Sequence, residues 1–451
     1  MDIKLLKEEI FKKAVDSGFS ECEIYYGESN KFQVNIFESE ITQYENTYSK
    51  ALSFRGIYNG SMGHSYTERI DFEVIEKIID EAKENAKIIE DEDKEILYEG
   101  DEVYLESNCY NENLKNFSVE EKIKMALNME SETLKGNEYV KSVDHCMLIS
   151  GESKIYISNT KGLELLDKSN YAIACVYAIV EKDKQVKVAG EIWFDNDLNK
   201  FDAVKIAEKA VKKATSYLGA SQPKSGKYGV IFNNTSASDL LSIFVSIFFA
   251  EKVHKGFSLL KEKLGVKIAS DIVTLCDDGI YEGSLGNVSF DSEGVATKNK
   301  IVIDNGILKT YLYNLKSAKK DNTRSTGNGF RSSLSSIDTS CTNFYIKPSD
   351  VEQSEMLNNL DNGVLITEVA GLHVGANVIS GDFSLQADGF LIKDGKISKP
   401  VEQIVVSGNF YTLLQNIVAV GNDLRFNLSS SIGTIGSPSI HVSELSISGG
   451  N

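Results

Sequence analysis

Three runs near the N-terminus alternate apolar and polar residues with the two-residue period of a β-strand. They begin at Cys22 (CEIYYG), Phe32 (FQVNIFE) and Ala51 (ALSFRGIYNG). A helical pattern precedes them, because apolar residues recur at helical spacing over 5–15 and Gly18 follows as a C-terminal stop. This succession predicts a helix followed by an antiparallel meander, and therefore an α+β fold.

The rest of the first half continues this mixture of helices and strands. A second helix is predicted over roughly 71–89, and the acidic stretch EDEDKE from Glu90 is expected to be a solvated connection. Ser118 and Glu121 form a capping-box pattern that opens a third helix. The remaining predicted elements are strands KIYISNTKG from Lys154, YAIACVYAIV from Tyr171 and VKVAGEIWF from Val186, then a helix over 203–218.

The segment LGASQPKSGK, Leu218 to Lys227, concentrates small residues around one of only four prolines. Such a segment is typical of a connection between domains. We therefore expect an N-terminal α+β domain with an antiparallel sheet, residues 1–222, and a C-terminal β-rich domain, residues 223–451.

The second half is expected to open with a helix over about 236–264 and then to become strand-rich. Asp304-Asn305-Gly306 and Asp394-Gly395 each stand between apolar runs, as two-residue type I′ hairpins require. This pattern predicts a barrel-like or sandwich domain.

Charge and cysteine content limit the cellular setting. The chain has 66 acidic and 48 basic residues and a net charge of -18, which disfavours direct binding to nucleic acid or to an anionic membrane. Six cysteines are scattered without a C-x-x-C pair, so neither a disulfide framework nor a cysteine zinc knuckle is predicted. The first helix lacks the apolar core of a signal peptide, and no apolar run is long enough to span a bilayer. We expect a cytoplasmic protein.

Metal chemistry can be tested one histidine at a time, because there are only five and no H-E-x-x-H motif. His254 lies on the predicted second-half helix, and Glu251 precedes it by three residues on the same face. A single Glu-x-x-His pair supplies two ligands, whereas a zinc site needs three or four. A helix-surface or cavity histidine is therefore the favoured interpretation of His254.

Other chemical motifs are missing or ambiguous. The sequence has no G-x-S-x-G elbow, no G-K-[ST] phosphate loop and no G-x-G-x-x-G dinucleotide motif. The basic tract KSAKKDNTRSTGNGFRSS, 316–333, could meet an acidic partner or could be an exposed loop. The glycine-interrupted strands over 371–397 fit either a bound extended chain or a barrel corner built on bulges.

Five segments combine into a more specific pattern. They are KGFSLLKEKLGVKIAS from Lys255, STGNGFRSS from Ser325, TNFYIKPSD from Thr342, SGDFSLQADGFLIKDGKISKPVEQIVVSGN from Ser380 and NIVAVGNDL from Asn416. With them the chain resembles the TldD/PmbA peptidase family over nearly its whole length, and in particular the PmbA (TldE-type) members. The resemblance implies a cytoplasmic metallopeptidase in which this chain pairs with a TldD-type subunit that holds the zinc.

Catalytic relatives carry H-E-x-x-x-H on the helix that opens the second half, and a cysteine ligand near the C-terminus. Aligned by eye, Phe249 stands at the first histidine, Ala250 at the glutamate and His254 at the second histidine. The tract FNLSSSIGTIGS, 426–437, offers serines where the catalytic subunit has cysteine. The resemblance therefore implies a degenerate site, with no catalytic residue and no metal or other cofactor bound by this chain.

The expected role is to shape a cavity for small or unfolded peptides, bound as extended chains along a strand edge. Two alternatives remain: a homodimeric hydrolase with a noncanonical metal site using His254, Glu251 or His373, and a non-proteolytic peptide-binding or regulatory module. Formation of a homodimer when the TldD-type partner is absent stays open at this point. The candidate peptide-cavity residues are Glu251, His254, Arg324, Thr326, Asn328, Gly371, His373, Gly381, Asp382 and Ser384.

Overall fold

The first half of the chain builds one antiparallel sheet. The structure, a computed structural model, describes residues 3–88, 95–331, 336–428, 430 and 432–450. The strands of this sheet are β1 (Glu21–Phe37), β2 (Glu40–Tyr58), β3 (Ser61–Thr67), β4 (Val140–Asn159), β5 (Glu164–Lys182) and β6 (Gln185–Asp195). They lie in the order β3-β2-β1-β4-β5-β6, so β3 and β6 are the outer strands.

Four helices cover one face of this sheet in two pairs. They are α1 (Ile3–Asp16), α2 (Ile75–Ile88), α3 (Val119–Lys135) and α4 (Ala203–Ser216). Leu6 and Ile10 of α1 pack with Ile78 of α2 over one end of the sheet. Met129 of α3 and Ile206 of α4 pack over the other end. All four predicted helices are present, and the meander is confirmed.

Local signals explain where these elements begin and end. The predicted capping box opens α3: the Glu121 amide donates to Ser118 Oγ at 3.2 Å, and the Ser118 amide donates to Glu121 Oε2 at 2.7 Å. The runs from Cys22 and Phe32 prove to be one strand, because β1 pairs continuously with β2 on one side and β4 on the other. Of the acidic connection, Glu90 to Lys94 lie outside the described residues.

The second half is organised around a closed barrel. Its five strands are β7 (Gly226–Phe232), β14 (Gly363–Ala370), β15 (Asp382–Lys393), β16 (Lys396–Asn409) and β20 (Ile440–Ser448). The first two are parallel and the other pairings antiparallel, and β16 closes the ring by pairing with β20. β17 (Ile417–Val420) extends this sheet beyond β20. The predicted α+β class, with a barrel-like C-terminal half, is confirmed.

A second sheet packs beside the barrel. It comprises β8 (Leu275–Asp278), β9 (Asn299–Asp304), β10 (Ile307–Leu308), β13 (Asn343–Ile346), β18 (Arg425–Phe426) and β19 (Thr434–Ser437). Their order is β10-β9-β8-β13-β19-β18, which leaves β18 as an outer strand. The remaining elements of this half are the hairpin β11 (Gly329–Arg331) and β12 (Ile337–Thr339), and the helices α5 (Asn234–Phe244), α6 (Ala250–His254), α7 (Leu315–Lys320), α8 (Gln353–Leu360) and α9 (Phe410–Gln415).

The long helix predicted over 236–264 is wrong. The chain instead forms α5, a 3₁₀ turn over Val245–Phe248, an extended residue at Phe249 and the five-residue α6. Aromatic and β-branched residues lose side-chain freedom in a helix, and those of this run pack into the barrel core instead. Gly256, at a φ of +74°, follows the end of α6.

Both predicted two-residue hairpins are present. Asn305 and Gly306 have φ of 47° and 81°, and Asp394 and Gly395 have φ of 51° and 70°, as a type I′ turn requires. The glycine-interrupted segment 371–397 contains bulges between Ala387 and Gly389 and between Leu391 and Ile392. Every helix within the described ranges is too short or too polar to span a lipid bilayer. The division at 222/223 stays a prediction.

Candidate functional site

Glu251 and His254 line a cavity between the two halves of the chain, here called the helix cavity. Its volume is about 440 Å³. The N-terminal sheet contributes Arg55 and His64, and α7 closes the cavity from the C-terminal half. The structure therefore brings the predicted Glu-x-x-His pair to a cavity wall.

Each member of that pair already has a partner within the fold. His254 Nε2 lies 2.7 Å from Asp321 Oδ1, and Tyr313 donates its hydroxyl to the other oxygen of the same carboxylate at 3.0 Å. Glu251 Oε1 accepts a hydrogen bond from Asn314 Nδ2 at 2.8 Å. The two side chains thus anchor α6 to the segment 313–321 and do not converge on a common point.

Phe249 and Ala250, the other two positions of the degenerate motif, belong to the apolar core. Their exposed fractions are 3% and 0%, and both lie in the large cluster that fills the C-terminal half. Neither side chain has a donor atom for a metal. These residues therefore do not fit a zinc ion at this place.

Three further predicted residues lie in the basic tract. Arg324 is exposed, and it lines neither this cavity nor the second one described below. Thr326 Oγ1 accepts the Tyr313 amide at 2.7 Å. Asn328 is fully buried and donates from Nδ2 to Asp277 Oδ2 and to the Ser340 carbonyl, each at 2.8 Å. Asn328 thus fixes the tract to β8 of the second sheet, and Thr326 fixes it to the segment before α7. Ser332 and Ser333 lie outside the described residues.

The last predicted group lies on the barrel, at the connection between β14 and β15, and lines neither cavity. Gly371 and Gly381 have φ of 78° and 83°, which glycine adopts readily. His373 is exposed, Asp382 accepts from Asn409 Nδ2 at 2.9 Å, and Ser384 accepts from the Ser407 hydroxyl at 3.1 Å. The structure does not bring this group together with Glu251 and His254.

Buried charges form the floor of the helix cavity. Arg55 Nε donates to Glu23 Oε1 at 2.6 Å, and both side chains are almost fully buried. Arg331 comes from the C-terminal half and places an Nη2 at 3.4 Å from the same oxygen, with its guanidinium over the Tyr25 ring. Burial raises the pKa of the nearby Glu293 carboxyl, and the coulombic effect of Asp291 raises it further. This cluster joins the two halves across the cavity.

A second cavity, the edge cavity, lies where two outer strands approach each other. Its volume is about 420 Å³. Gly190, Glu191 and Ile192 of β6 form one side, and Arg425 and Phe426 of β18 form another. Arg425 Nη2 donates to the Ile192 carbonyl at 3.2 Å and so joins the two strands. Two strand edges that face one cavity can pair with the main chain of an extended peptide.

Charged side chains from two helices and from the barrel strand β14 face the edge cavity. Asp239 of α5 lines it, as do Lys213 and Glu368, which form an ion pair at 2.6 Å. Burial raises the pKa of Asp239 to about 6; Lys213 lowers this pKa and Glu368 raises it. The site can therefore offer hydrogen bonds and charge to a peptide main chain and its polar groups.

The sequence does not reveal the edge cavity, because the walls of this cavity come from distant segments that carry no motif. One signal was present: Asp239 is the only charged residue in the apolar run from Ala237 to Ala250. Among the described residues, no group of three or more His, Cys, Asp or Glu side chains is arranged to hold a metal ion. All six cysteines are free and buried. In the tract 426–437, Ser429 and Ser431 lie outside the described residues.

Comparison with known families gives three consecutive matches. Residues 22–86 match domain 1 of the PmbA/TldA metallopeptidases, residues 112–218 match the central domain and residues 225–449 match the C-terminal domain. Among curated proteins, the metalloprotease PmbA homolog of Buchnera aphidicola is 29% identical over 342 residues, which cover 74% of this chain and 71% of that protein.

Two solved structures share the fold over almost the whole chain. A Thermotoga maritima protein, named as a modulator of a DNA gyrase, is 32% identical, with a TM-score of 0.91 and coverage of 99% of this chain and 100% of that one. TldE from Thermococcus kodakarensis is 24% identical, with a TM-score of 0.89 over 98% of this chain and 100% of that one. By these matches, the chain belongs to the PmbA/TldD metallopeptidase family.

Proposed function

We propose that this chain is the PmbA/TldE-type subunit of a two-subunit cytoplasmic peptidase whose zinc lies in a TldD-type partner. The observation that carries the proposal is the chemistry of the degenerate motif. Phe249 and Ala250 are core residues without donor atoms, and His254 is engaged with Asp321. The similarity to a metalloprotease PmbA homolog supports the same assignment.

In this proposal the chain supplies one wall of the peptide cavity. The edge cavity is the part of the structure that suits this role best. β6 and β18 are outer strands at this cavity, and an outer strand can bind an extended peptide through its main chain, with little preference for the peptide's side chains. Such recognition suits small or unfolded peptides, which offer their own main chain for pairing. The candidate residues around Gly371 and His373 stay a prediction.

A cavity-filling variant tests this role in the assembled enzyme. Thr235→Tyr places a ring in the edge cavity, and we expect the reconstituted pair to lose at least tenfold in kcat/KM for unfolded peptides while its zinc content is unchanged. Lys255→Trp, which adds a ring at the helix cavity, is the matched control and should leave hydrolysis near the wild-type rate. Equal effects of the two variants would contradict the assignment of the edge cavity.

A second candidate function is peptide binding without hydrolysis, in a regulatory complex. The edge cavity favours it, because pairing to strand edges requires no metal, and the Thermotoga maritima relative is named for modulation of a DNA gyrase. Co-purification from the native host separates the two candidates. A zinc-binding TldD-type protein at a fixed ratio supports the peptidase, whereas its absence supports the regulatory module.

The homodimeric hydrolase finds less support in the geometry. Glu251 and His254 are bonded to Asn314 and Asp321, and His373 lies on the separate connection between β14 and β15. A metal site built from these three residues would require them to leave their present positions. Peptidase activity of the purified chain alone would support the homodimeric hydrolase.

A further inference from the structure

Two of the acidic side chains that line the edge cavity already have a cation within the fold. Glu368 of β14 pairs with Lys213 at 2.6 Å. Glu191 of β6 lies 3.4 Å from the Lys209 ammonium and 3.9 Å from an Arg425 nitrogen. The two cations that line the cavity, Lys213 and Arg425, are therefore both engaged with carboxylates of this chain.

The carboxylate of Asp239 is different, because it lines the same cavity without a partner. Among the residues that the structure describes, none forms an ion pair with this side chain or donates a hydrogen bond to it. The adjoining residues of α5, Ser238 and Leu240, are buried. A partly buried charge without a partner costs stability, so such a charge is typical of a site that acts on something outside the fold.

The rest of the lining also suits a positive group. Tyr177 of β5, Phe194 of β6 and Phe426 of β18 contribute aromatic residues to it. The faces of aromatic rings attract cations, whereas they offer nothing to an anion. A cavity of about 420 Å³ that combines an unpartnered carboxylate with aromatic residues therefore fits a cationic group better than an acidic one.

We propose that the edge cavity selects peptides that carry a positive charge, and that Asp239 binds this charge. The bound group is an ammonium or guanidinium, supplied by a free peptide N-terminus or by a Lys or Arg side chain. Either group can donate charge-assisted hydrogen bonds to the carboxylate while the outer strands hold the peptide main chain. The inference rests on the proposed function in one respect, because it takes the edge cavity as the peptide site.

Four peptides of equal length, each with an amidated C-terminus and no other charge, test this selection. One has a free N-terminus, and the other three are N-acetylated and carry glutamine, lysine or glutamate at one central position. Dissociation constants are measured by calorimetry with the full chain, and kcat/KM is measured with the reconstituted pair.

A peptide with a positive charge should bind at least about tenfold more tightly than the glutamine peptide, as a hydrogen bond to a charged group implies. The glutamate peptide should bind most weakly. Preference for the free N-terminus identifies the chain end as the bound group, and preference for the lysine peptide identifies a side chain.

Variants of Asp239 assign the preference to this carboxylate. Asp239→Asn should bring the ratio of dissociation constants, glutamine peptide over cationic peptide, close to one, whereas Asp239→Glu keeps the charge and should retain most of the ratio. A general structural defect would weaken all four peptides alike and leave the ratio unchanged. Glu208→Gln is the matched control, because Glu208 is exposed on α4 and does not line the cavity, and it should also leave the ratio unchanged.

Equal dissociation constants for the cationic and glutamine peptides would overturn the inference. A preference that Asp239→Asn retains would do the same, and so would the absence of binding at millimolar peptide. If the reconstituted pair hydrolyses all four peptides at similar kcat/KM and binding shows no preference, this inference fails and the proposed peptidase stands. If the chain selects cationic peptides but no zinc-bearing partner is found, the selection stands and the peptidase fails.

Discussion

At the scale of single residues, the two halves of the chain are joined by buried charges. Glu23 and Arg55 belong to the N-terminal sheet, whereas Arg331 comes from the C-terminal half and also places an Nη1 at 3.4 Å from Ser53 Oγ. Removing charges from water is costly, and their mutual attraction offsets that cost only while every partner is present. The free energy of unfolding should therefore fall strongly when one charged residue of this cluster is replaced.

Replacing Arg55 with methionine tests this dependence. Glu23 is fully buried, so Arg55→Met leaves a buried carboxylate with the more distant Arg331 as its cation. We expect a loss of about 3 kcal/mol in the free energy of unfolding, measured by urea denaturation. The double variant Glu23→Leu/Arg55→Met should recover most of that loss. A single-variant loss below about 1 kcal/mol would mean that the pair is solvated.

Asp239 gives the edge cavity a pH dependence. Burial raises its folded pKa from 3.8 to about 6, so the fold favours the protonated carboxyl. This contribution to stability is fully present below pH 3.8 and is lost as the pH rises through about 6. Asp239→Asn should remove this loss, and at pH 7 the variant should be more stable than the wild type by about 3 kcal/mol.

Thermal unfolding of both proteins between pH 4 and pH 8 measures this difference. The two curves should converge towards pH 4 and diverge as Asp239 ionises in the wild type. Parallel curves would show that the carboxyl keeps its ordinary pKa and is well solvated.

At the scale of elements, the sequence predicts the helices, caps and turns that depend on residues close together in the chain. The four N-terminal helices, the capping box at Ser118 and both type I′ turns follow from periodicity and turn chemistry. The end of α5 after Phe244 does not follow from the sequence pattern, because the same apolar run can continue as a helix or pack as separate turns. Barrel closure by β16 and β20 also depends on contacts between distant segments.

The hairpin glycine at 306 shows how strongly one turn can be constrained. Its φ is +81°, and a Cβ added there would lie 2.5 Å from the Ala269 carbonyl oxygen. Gly306→Ala should therefore cost more than the roughly 1–2 kcal/mol expected for a left-handed backbone alone. Gly162→Ala is the control, with φ +101° and open space around the site. If chemical denaturation gives the two variants equal losses in the free energy of unfolding, the close approach to the Ala269 carbonyl oxygen plays no role.

At the scale of the whole molecule, the fold places two cavities at the meeting of the two halves. The sequence pointed to the helix cavity through Glu251 and His254, and both residues do line it. It did not point to the edge cavity, because Gly190, Asp239 and Arg425 converge only after the outer strands meet. Strand edges leave no local pattern in a sequence.

The central claim is that this chain shapes a peptide site and that its partner supplies the zinc. Elemental analysis of the purified chain, beside its reconstituted complex with a TldD-type subunit, tests the claim most directly. We expect no stoichiometric zinc in the chain alone, one zinc per pair in the complex, and no change in either value on His254→Ala. Stoichiometric zinc in the isolated chain that disappears on His254→Ala would contradict the account.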